Sequence, residues 1–154
     1  MMDPRRKQLN PARLFSSVID RAPDSILVFN INLDVVWVNE QTCRQLARSE
    51  AELLDRNLHD LDIHLYPTPV AQLKEQLLQQ GRMAVETWLE IDGEEPLALE
   101  VNISMINLNG EQHILAFARD ISERKRVQQD LEELSILIKA LMENIPDSIF
   151  FKDL

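Results

Sequence analysis

The chain has 154 residues, of which 45% are hydrophobic and 27% are charged, a composition typical of globular proteins. Its formal net charge of −10 argues against a nucleic-acid ligand, because binding to phosphates requires clustered lysine and arginine. No apolar run approaches the roughly 18 residues that a membrane span needs. The single cysteine cannot form an internal disulfide. We therefore expect a soluble, cytoplasmic segment that contacts neither nucleic acid nor membrane.

The beginning of the chain predicts a short helix followed by a β-hairpin. A polar tail over residues 1–10 leads to Asn10-Pro11, a pair that is typical of a helix start. Ser25–Asn30 and Val35–Val38 have the composition of strands, and the residues between them are turn formers. Because the second strand is apolar throughout, we expect both of its faces to be covered.

Helix-capping signals predict three helices after the hairpin. Asn39 can cap the first helix, and Ser49 begins an S-x-x-E capping box that opens the second. The third and longest helix begins at Thr68-Pro69 and ends at Gly81. The segment His59–Tyr66 has no regular period, so it is predicted to be irregular.

Alternation of apolar and polar residues predicts three further strands. The clearest alternation covers residues 97–105, and turns at Asp92-Gly93 and Asn109-Gly110 separate the strands. The last strand, Ile114–Arg119, has apolar residues on both faces, so we expect it to be central and covered on both sides. This order of elements predicts an α+β domain, with short helices packed on one face of an antiparallel sheet.

A helix follows the last strand with no glycine or proline between them. Its apolar residues recur at alternating spacings of four and three, which is the heptad pattern of a coiled coil. We call these residues the seam: Val127, Leu131, Leu134, Ile138, Leu141 and Ile145. Because an isolated helix of about twenty residues is marginally stable in water, we expect the seam of a second chain to cover it.

The chain also contains an internal repeat. Pro23-Asp24-Ser25-Ile26 recurs identically as Pro146-Asp147-Ser148-Ile149, and similar residues flank both copies. The second copy comes one domain and one helix after the first. This spacing indicates a tandem duplication rather than a chance match.

Four motifs follow one another in a defined order. They are the hairpin with Asn39 after it, Ser49–Leu58, Asp92-Gly93, and Arg119–Lys125, which reads R-D-I-S-E-R-K. This ordered set resembles the PAS family of sensor domains, many of whose bacterial members end in R-D-I-T-E-R-K. Within the second motif, Asp55-Arg56 stands where the family usually has glycine. The resemblance implies a five-stranded antiparallel sheet, a cavity for a small molecule or cofactor in some members, and signal relay by a dimer.

The resemblance also implies a division of the chain. We expect a PAS sensor domain over residues 11–121, after the tail, and a signalling coiled-coil helix over residues 122–145. Residues 146–154 are then the truncated start of a second PAS repeat. The output domain of such a protein would be of the histidine kinase or diguanylate cyclase type, as in two-component signalling.

The joint between the last strand and the helix is the first candidate site. Asp120 or Ser122 can accept hydrogen bonds from the backbone N–H groups of the helix start. Arg124 lies one turn after Asp120, where the two side chains can pair. These three residues form either an ordinary helix cap or a rigid joint that relays movement of the sheet. Both interpretations stay open.

The second candidate site is a cavity in the domain. The small face of the last strand, formed by Ile114, Ala116 and Ala118, either leaves room for a ligand or lets the helices pack closely. Trp88 either stacks on a flavin or serves in ordinary packing, and Asn102 lies on a polar strand face that is either solvated or part of the cavity wall. We take all five residues as candidate lining.

The resemblance argues against flavin and haem. Haem-binding relatives carry a histidine on the long helix, and the helix predicted here has none. Flavin-binding photoreceptor relatives carry glutamine where Ala118 stands, and their reactive cysteine lies in a later helix than Cys43. Cys43 is predicted to be a small core residue. The ligand-rich stretch His59–His64 has no supporting cluster elsewhere, so it is expected to be a surface loop and not a metal site.

Taken together, these patterns predict a sensory module that is not an enzyme. The sequence has no nucleophile–base pair, no phosphate-binding loop and no paired catalytic carboxylates. The module is expected to form a homodimer, to respond to a possible small-molecule ligand, and to relay a signal to a downstream output domain in the same chain. The alternative is a ligand-free module that dimerises and acts as a spacer.

Overall fold

The structure is a computed structural model that describes residues 11–61, 63–91 and 93–145. Two of the predicted segments, the tail at residues 1–10 and the second repeat at residues 146–154, lie outside the described residues. Contacts within the chain divide it into two compact units between Asp120 and Ile121.

The described elements are five α-helices, one turn of 3-10 helix and six strands. The helices are α1 (Pro11–Asp20), α2 (Glu40–Leu46), α3 (Glu50–Leu53), α4 (Val70–Gln80) and α5 (Ser122–Asn144), and the 3-10 turn is Leu58–Asp60. The strands are β1 (Ser25–Asn30), β2 (Val35–Val38), β3 (Ile63–Tyr66), β4 (Arg82–Ile91), β5 (Leu97–Leu108) and β6 (Glu111–Asp120). None of the described helices has the length and apolar composition needed to cross a membrane.

The first unit is built on one antiparallel sheet with the strand order β2-β1-β6-β5-β4-β3. β6 lies between β1 and β5, so the predicted central position of this strand is correct. In this register Ala116 lies opposite Leu27 on one side and Ile103 on the other. The α+β class with short helices and an antiparallel sheet is confirmed, although the sheet has six strands rather than five.

The additional strand is β3, in the segment that was predicted to be irregular. Leu65 pairs with Leu89 and Tyr66 pairs with Trp88, and the Thr87 hydroxyl donates to the Tyr66 carbonyl oxygen at 3.1 Å. A strand of four residues is too short to show a period of two. Its conformation comes from the hydrogen bonds of the neighbouring strand, which a local sequence pattern does not reveal.

The two faces of the sheet differ in their burial. The inner face packs against the short helices, and its central part consists of Ile114, Ala116 and Ala118, which are all buried. On the outer face Phe117 is 40% exposed and Val36 is 44% exposed. The expectation that both faces of β6 and of β2 are covered is therefore wrong for the described residues, because each strand buries only its inner face well.

Local capping signals are confirmed in the first unit. The Asn39 side chain accepts a hydrogen bond from Thr42 N, and Ser49 Oγ accepts one from Glu52 N at 3.2 Å. Gly81 ends α4 with a φ of 77°, and its N–H donates to Leu77 O at 2.8 Å. Such caps satisfy backbone groups at the helix ends, which have no partner within the helix.

Hydrogen bonds from asparagine side chains hold the turn between β1 and β2. Asn30 Nδ2 donates to Asp34 Oδ2 at 3.0 Å, and Asn57 Nδ2 donates to Asp34 Oδ1 at 3.0 Å. Both bonds favour the charged carboxylate, so they lower the pKa of Asp34 from its ordinary value.

The second unit contains α5, a helix of 23 residues. At about 1.5 Å per residue, it is roughly 34 Å long. None of the helical residues in α5 is buried. Its apolar side chains therefore remain available for contact with another surface.

Candidate functional site

A cavity of about 140 Å³ lies in the first unit, against the inner face of the sheet. The predicted lining residues Ile114, Ala116 and Ala118 are part of its wall, and Leu73 and Leu77 of α4 also line it. Alanine side chains at the centre of a sheet fill little volume. Two of them on β6 therefore leave space that larger residues at these positions would occupy.

Trp88 and Asn102, the two other candidates for the lining, lie on the opposite face of the sheet. Asn102 is paired with Phe117, whereas its neighbours Val101 and Ile103 line the cavity. Since successive side chains of a strand point to opposite faces, Asn102 points away from the cavity. Trp88 is exposed and does not line the cavity. Their assignment to the wall is therefore corrected.

The cavity wall also contains four polar side chains, Ser25, Thr42, Gln45 and Lys74. The Ser25 hydroxyl donates to Gln45 Oε1. The Thr42 hydroxyl donates to the Ile26 carbonyl oxygen at 3.1 Å and lies 2.8 Å from Asn39 Oδ1. The two hydroxyls are thus engaged by the protein itself.

Gln45 and Lys74 have unused donors. Gln45 Nε2 and Lys74 Nζ make no hydrogen bond or ion pair with any residue that the structure describes. Lys74 was not predicted to line the cavity, although its spacing indicates this position. It lies four residues after Val70 and three before Leu77, so it belongs to the apolar face of α4 rather than to the solvated face.

Asn39 connects the elements around this end of the cavity. It is 1% exposed, and its Oδ1 accepts from Ile26 N at 3.0 Å and from Thr42 N at 3.1 Å. Its Nδ2 donates to Ile19 O at 3.1 Å and to Asp24 O at 3.0 Å. One amide therefore fixes the end of α1, the start of β1 and the start of α2.

Cys43 lies on α2, where it packs against the hydrophobic core and also lines a second hollow with Glu40 and Glu50. Burial is the main cause that raises the pKa of its thiol, and the negative charge of Glu50 adds to this. A thiol with a raised pKa is a poor nucleophile at neutral pH. This environment differs from that of a reactive cysteine.

An ion pair joins the two motifs that frame the domain in sequence. Arg119 Nε donates to Asp24 Oδ1 at 3.2 Å, and Arg119 Nη2 donates to Asp24 Oδ2 at 3.0 Å. The bidentate contact with Asp24 raises the pKa of Arg119. Asp24 belongs to the P-D-S-I motif and Arg119 to the R-D-I-S-E-R-K motif. Both motifs are recognisable in the sequence, but the contact between them was not predicted.

The joint between β6 and α5 consists of one residue. Asp120 ends β6 and Ser122 begins α5, while Ile121 occupies the N-cap position between them. Ile121 has no side-chain acceptor, and the helix starts with Lys125 N donating to Ile121 O at 2.9 Å. Whether Asp120 or Ser122 accepts hydrogen bonds from the start of α5 stays a prediction. The relay role of Asp120, Ser122 and Arg124 stays a prediction.

The seam is exposed along the whole of α5. Its side chains are between 36% and 61% exposed. They are Val127, Leu131, Leu134, Ile138, Leu141 and Ile145. Coverage of the seam by a second chain stays a prediction.

The ligand-rich stretch His59–His64 runs from the 3-10 turn into the start of β3, and its described residues lie largely at the surface. His59, Asp60 and His64 are exposed, and Leu61 between them is fully buried. Among the described residues, no group of three or more His, Cys, Asp and Glu side chains is placed to hold a metal ion. Asp62 lies outside the described residues.

Comparisons with known proteins agree with this architecture. The family model named PAS fold matches residues 13–121. The chain is 28% identical over 143 residues to the nitrogen fixation regulatory protein of Klebsiella oxytoca. That match covers 91% of this chain and 29% of the relative, so the chain spans less than a third of that protein.

Two solved PAS domains have a similar fold. One is from an HTR-like protein of Haloarcula marismortui, with a TM-score of 0.62 and 26% identity, covering 76% of this chain and 98% of that one. The other is from nitrogen regulation protein NR(II) of Vibrio parahaemolyticus, with a TM-score of 0.61 and 23% identity, covering 70% and 98%. With the family model matching residues 13–121, the chain belongs to the PAS family.

Proposed function

We propose that this chain is a sensory module in which a PAS domain detects a small molecule and passes the signal to an output domain. One observation carries the proposal. β6 supplies Ile114, Ala116 and Ala118 to the cavity wall, and the same strand is followed after one residue by α5. A change in β6 therefore has a short covalent path to the helix, without a flexible linker.

The size of the cavity limits how strongly a ligand can act. An aromatic ring buries about 150–250 Å², which at about 25 cal/mol per Å² corresponds to roughly 4–6 kcal/mol of apolar transfer free energy. A switch from nearly off to nearly on needs about 5.5 kcal/mol of differential binding. A ligand that fills the cavity can approach this value, but only if it binds one state almost exclusively.

The seam supports a homodimer as the signalling form. Each fully buried seam side chain contributes about 1.5–3 kcal/mol, so the five seam residues on α5 would give a stable contact between two chains. In such a dimer, movement of β6 would change the rotation or register of the two helices. The output domain would be of the histidine kinase or diguanylate cyclase type in the same chain, and the module would act in the cytoplasm without catalytic activity of its own.

A spacer without a ligand is the second candidate. The exposed seam favours this candidate as much as it favours a sensor, because dimerisation alone explains an apolar stripe. In that case the small residues of β6 would serve only to bring the helices close to the sheet.

Native mass spectrometry and an absorption spectrum of the purified protein separate the two candidates. A bound small molecule, or visible absorbance from a cofactor, supports the sensor. A dimer with no bound molecule and no visible absorbance supports the spacer. The same spectrum tests the expectation that neither flavin nor haem is present.

A further inference from the structure

The cavity has the size for one small ring rather than for a large cofactor. Its volume of about 140 Å³ is close to the roughly 150 Å³ of an engineered apolar cavity that binds benzene or xenon. Its wall is formed mainly by leucine, valine, isoleucine, alanine and phenylalanine side chains. The volume therefore limits the ligand to a compact body of about the size of benzene.

The polar residues of the wall present almost no polar surface to the cavity. The surface that faces the cavity is almost wholly apolar, although Ser25, Thr42, Gln45 and Lys74 contribute to it. The hydroxyls of Ser25 and Thr42 donate to Gln45 Oε1 and to the Ile26 carbonyl oxygen, respectively. Gln45 and Lys74 are half-buried, so their hydrocarbon parts can line the wall while their nitrogen atoms face water.

The described part of the chain leaves no buried polar group for a ligand to satisfy. Every buried side-chain nitrogen and oxygen atom among the described residues has a hydrogen-bond partner within the protein. The strands β1, β6, β5 and β4 have a neighbouring strand on both sides, so their backbone N–H and C=O groups bond within the sheet. A polar group on a ligand would therefore lose its hydrogen bonds to water and find few partners in the cavity.

We infer that the cavity binds a small, neutral and apolar molecule, such as an alkyl-substituted ring, and discriminates against ligands that carry a charge or a hydroxyl group. This assignment rests on the ligand-sensing function proposed above and specifies the class of ligand. Affinity would come from the apolar area removed from water, and selectivity from the cost of burying a polar group without a partner. The signal would thus be a hydrocarbon-like compound rather than an acid, an amine or a nucleotide.

The test uses the chain of 154 residues and three single-ring probes, namely toluene, phenol and benzoate, in an NMR titration at pH 7. Toluene and phenol have the same number of non-hydrogen atoms, so their comparison isolates the effect of one hydroxyl group. Toluene is expected to bind at least about tenfold more tightly than phenol, because burying a hydroxyl without a partner costs this much or more. Benzoate is expected to bind more weakly than phenol, since a charge costs more to bury than a hydroxyl.

Variants test whether the cavity is the site and whether the charge of Lys74 takes part. Ala116→Leu fills the cavity and should abolish toluene binding. If that variant does not fold, Ala118→Val is a smaller change that should weaken binding. Lys74→Met keeps the length of the side chain and removes its charge, so the order of affinities, toluene before phenol before benzoate, should stay the same. Lys139→Met on exposed α5 is the matched control and should leave all three affinities unchanged.

The outcomes separate the apolar ligand class from the sensor function. If the probes bind in the cavity but the advantage of toluene over phenol or benzoate falls short of about tenfold, the apolar ligand class is overturned and the sensor function stands. If Lys74→Met changes the order of affinities, the ammonium group takes part in binding and the apolar class is again overturned. If toluene binds with unchanged affinity to folded Ala116→Leu or Ala118→Val protein, its site lies elsewhere and the same conclusion follows. If none of the three probes binds, both proposals are overturned and the spacer is favoured.

Discussion

Replacement of Asn39 by alanine is expected to destabilise the PAS domain by about 4 kcal/mol, which follows from the hydrogen bonds of one buried amide. The variant loses the acceptor of Ile26 N and Thr42 N and the donors to Ile19 O and Asp24 O. At 1% exposure the site is closed to bulk water, which would otherwise replace these partners.

The magnitude follows from the groups that remain unpaired. A buried N–H group without an acceptor costs about 1–3 kcal/mol, so the two N–H groups together cost roughly 2–6 kcal/mol. Carbonyl oxygens tolerate a missing donor better, and the two of them add little. Because a domain of this size is stable by about 5–15 kcal/mol, the loss is a large part of the total.

Urea unfolding monitored by circular dichroism measures the free energy of unfolding of the wild type and the variant. The two values are compared provided that the m-values are equal. Asn144→Ala is the matched control, because this exposed amide on α5 makes one hydrogen bond, to Ala140 O at 2.8 Å. The control should change stability by less than about 0.5 kcal/mol. If Asn39→Ala lowers the free energy of unfolding by less than about 1 kcal/mol with an unchanged m-value, the buried hydrogen bonds of Asn39 do not stabilise the domain as argued.

The remaining predictions concern the helix, the joint and two titratable groups. Leu134→Glu places a charge in the exposed seam, so analytical ultracentrifugation should show a monomer, and a persisting dimer would contradict dimerisation through the seam. Asp120→Ala combined with Ser122→Ala should uncouple the activity of the parent protein from its stimulus while the melting temperature of the domain is unchanged. Normal regulation in that double variant would contradict the relay role of Asp120 and Ser122. Because burial raises the pKa of Cys43, iodoacetamide should alkylate it at pH 7 more slowly than an ordinary thiol, and equal rates would contradict this. Because hydrogen bonds lower the pKa of Asp34, its carboxylate gives stability that is present above the ordinary pKa and is lost as the pH falls through the folded value. Asp34→Asn should therefore flatten the loss of stability below about pH 4, and an acid unfolding curve identical to that of wild type would show the reasoning to be wrong.

Features that depend on neighbouring residues were predictable from the sequence. The capping bonds of Asn39, Ser49 and Gly81 are to backbone groups within four residues of themselves, so these roles follow from local spacing. The Asn109-Gly110 turn is similarly local, with φ values of 53° and 84°. These signals located the strands and helices well enough to identify the family.

Features that depend on distant contacts were not predictable. β3 is a strand because β4 pairs with it, and the contact between Arg119 and Asp24 joins residues 95 positions apart. The alternation of β5 predicts which residues share a face, but it does not show which of the two faces packs against the helices. Asn102 was therefore assigned to the wrong face. The place of Lys74 in the cavity wall was not predicted, because a charged side chain on a helix is usually solvated.

The two ends of the sheet affect how copies of this chain can associate. The edge strands β2 and β3 are four residues each, and Pro67 directly after β3 has no N–H group to donate. Long, regular edge strands can pair with the edge of another molecule, and short ones interrupted by proline resist this. Addition of a strand from another molecule is therefore disfavoured at both edges of the sheet.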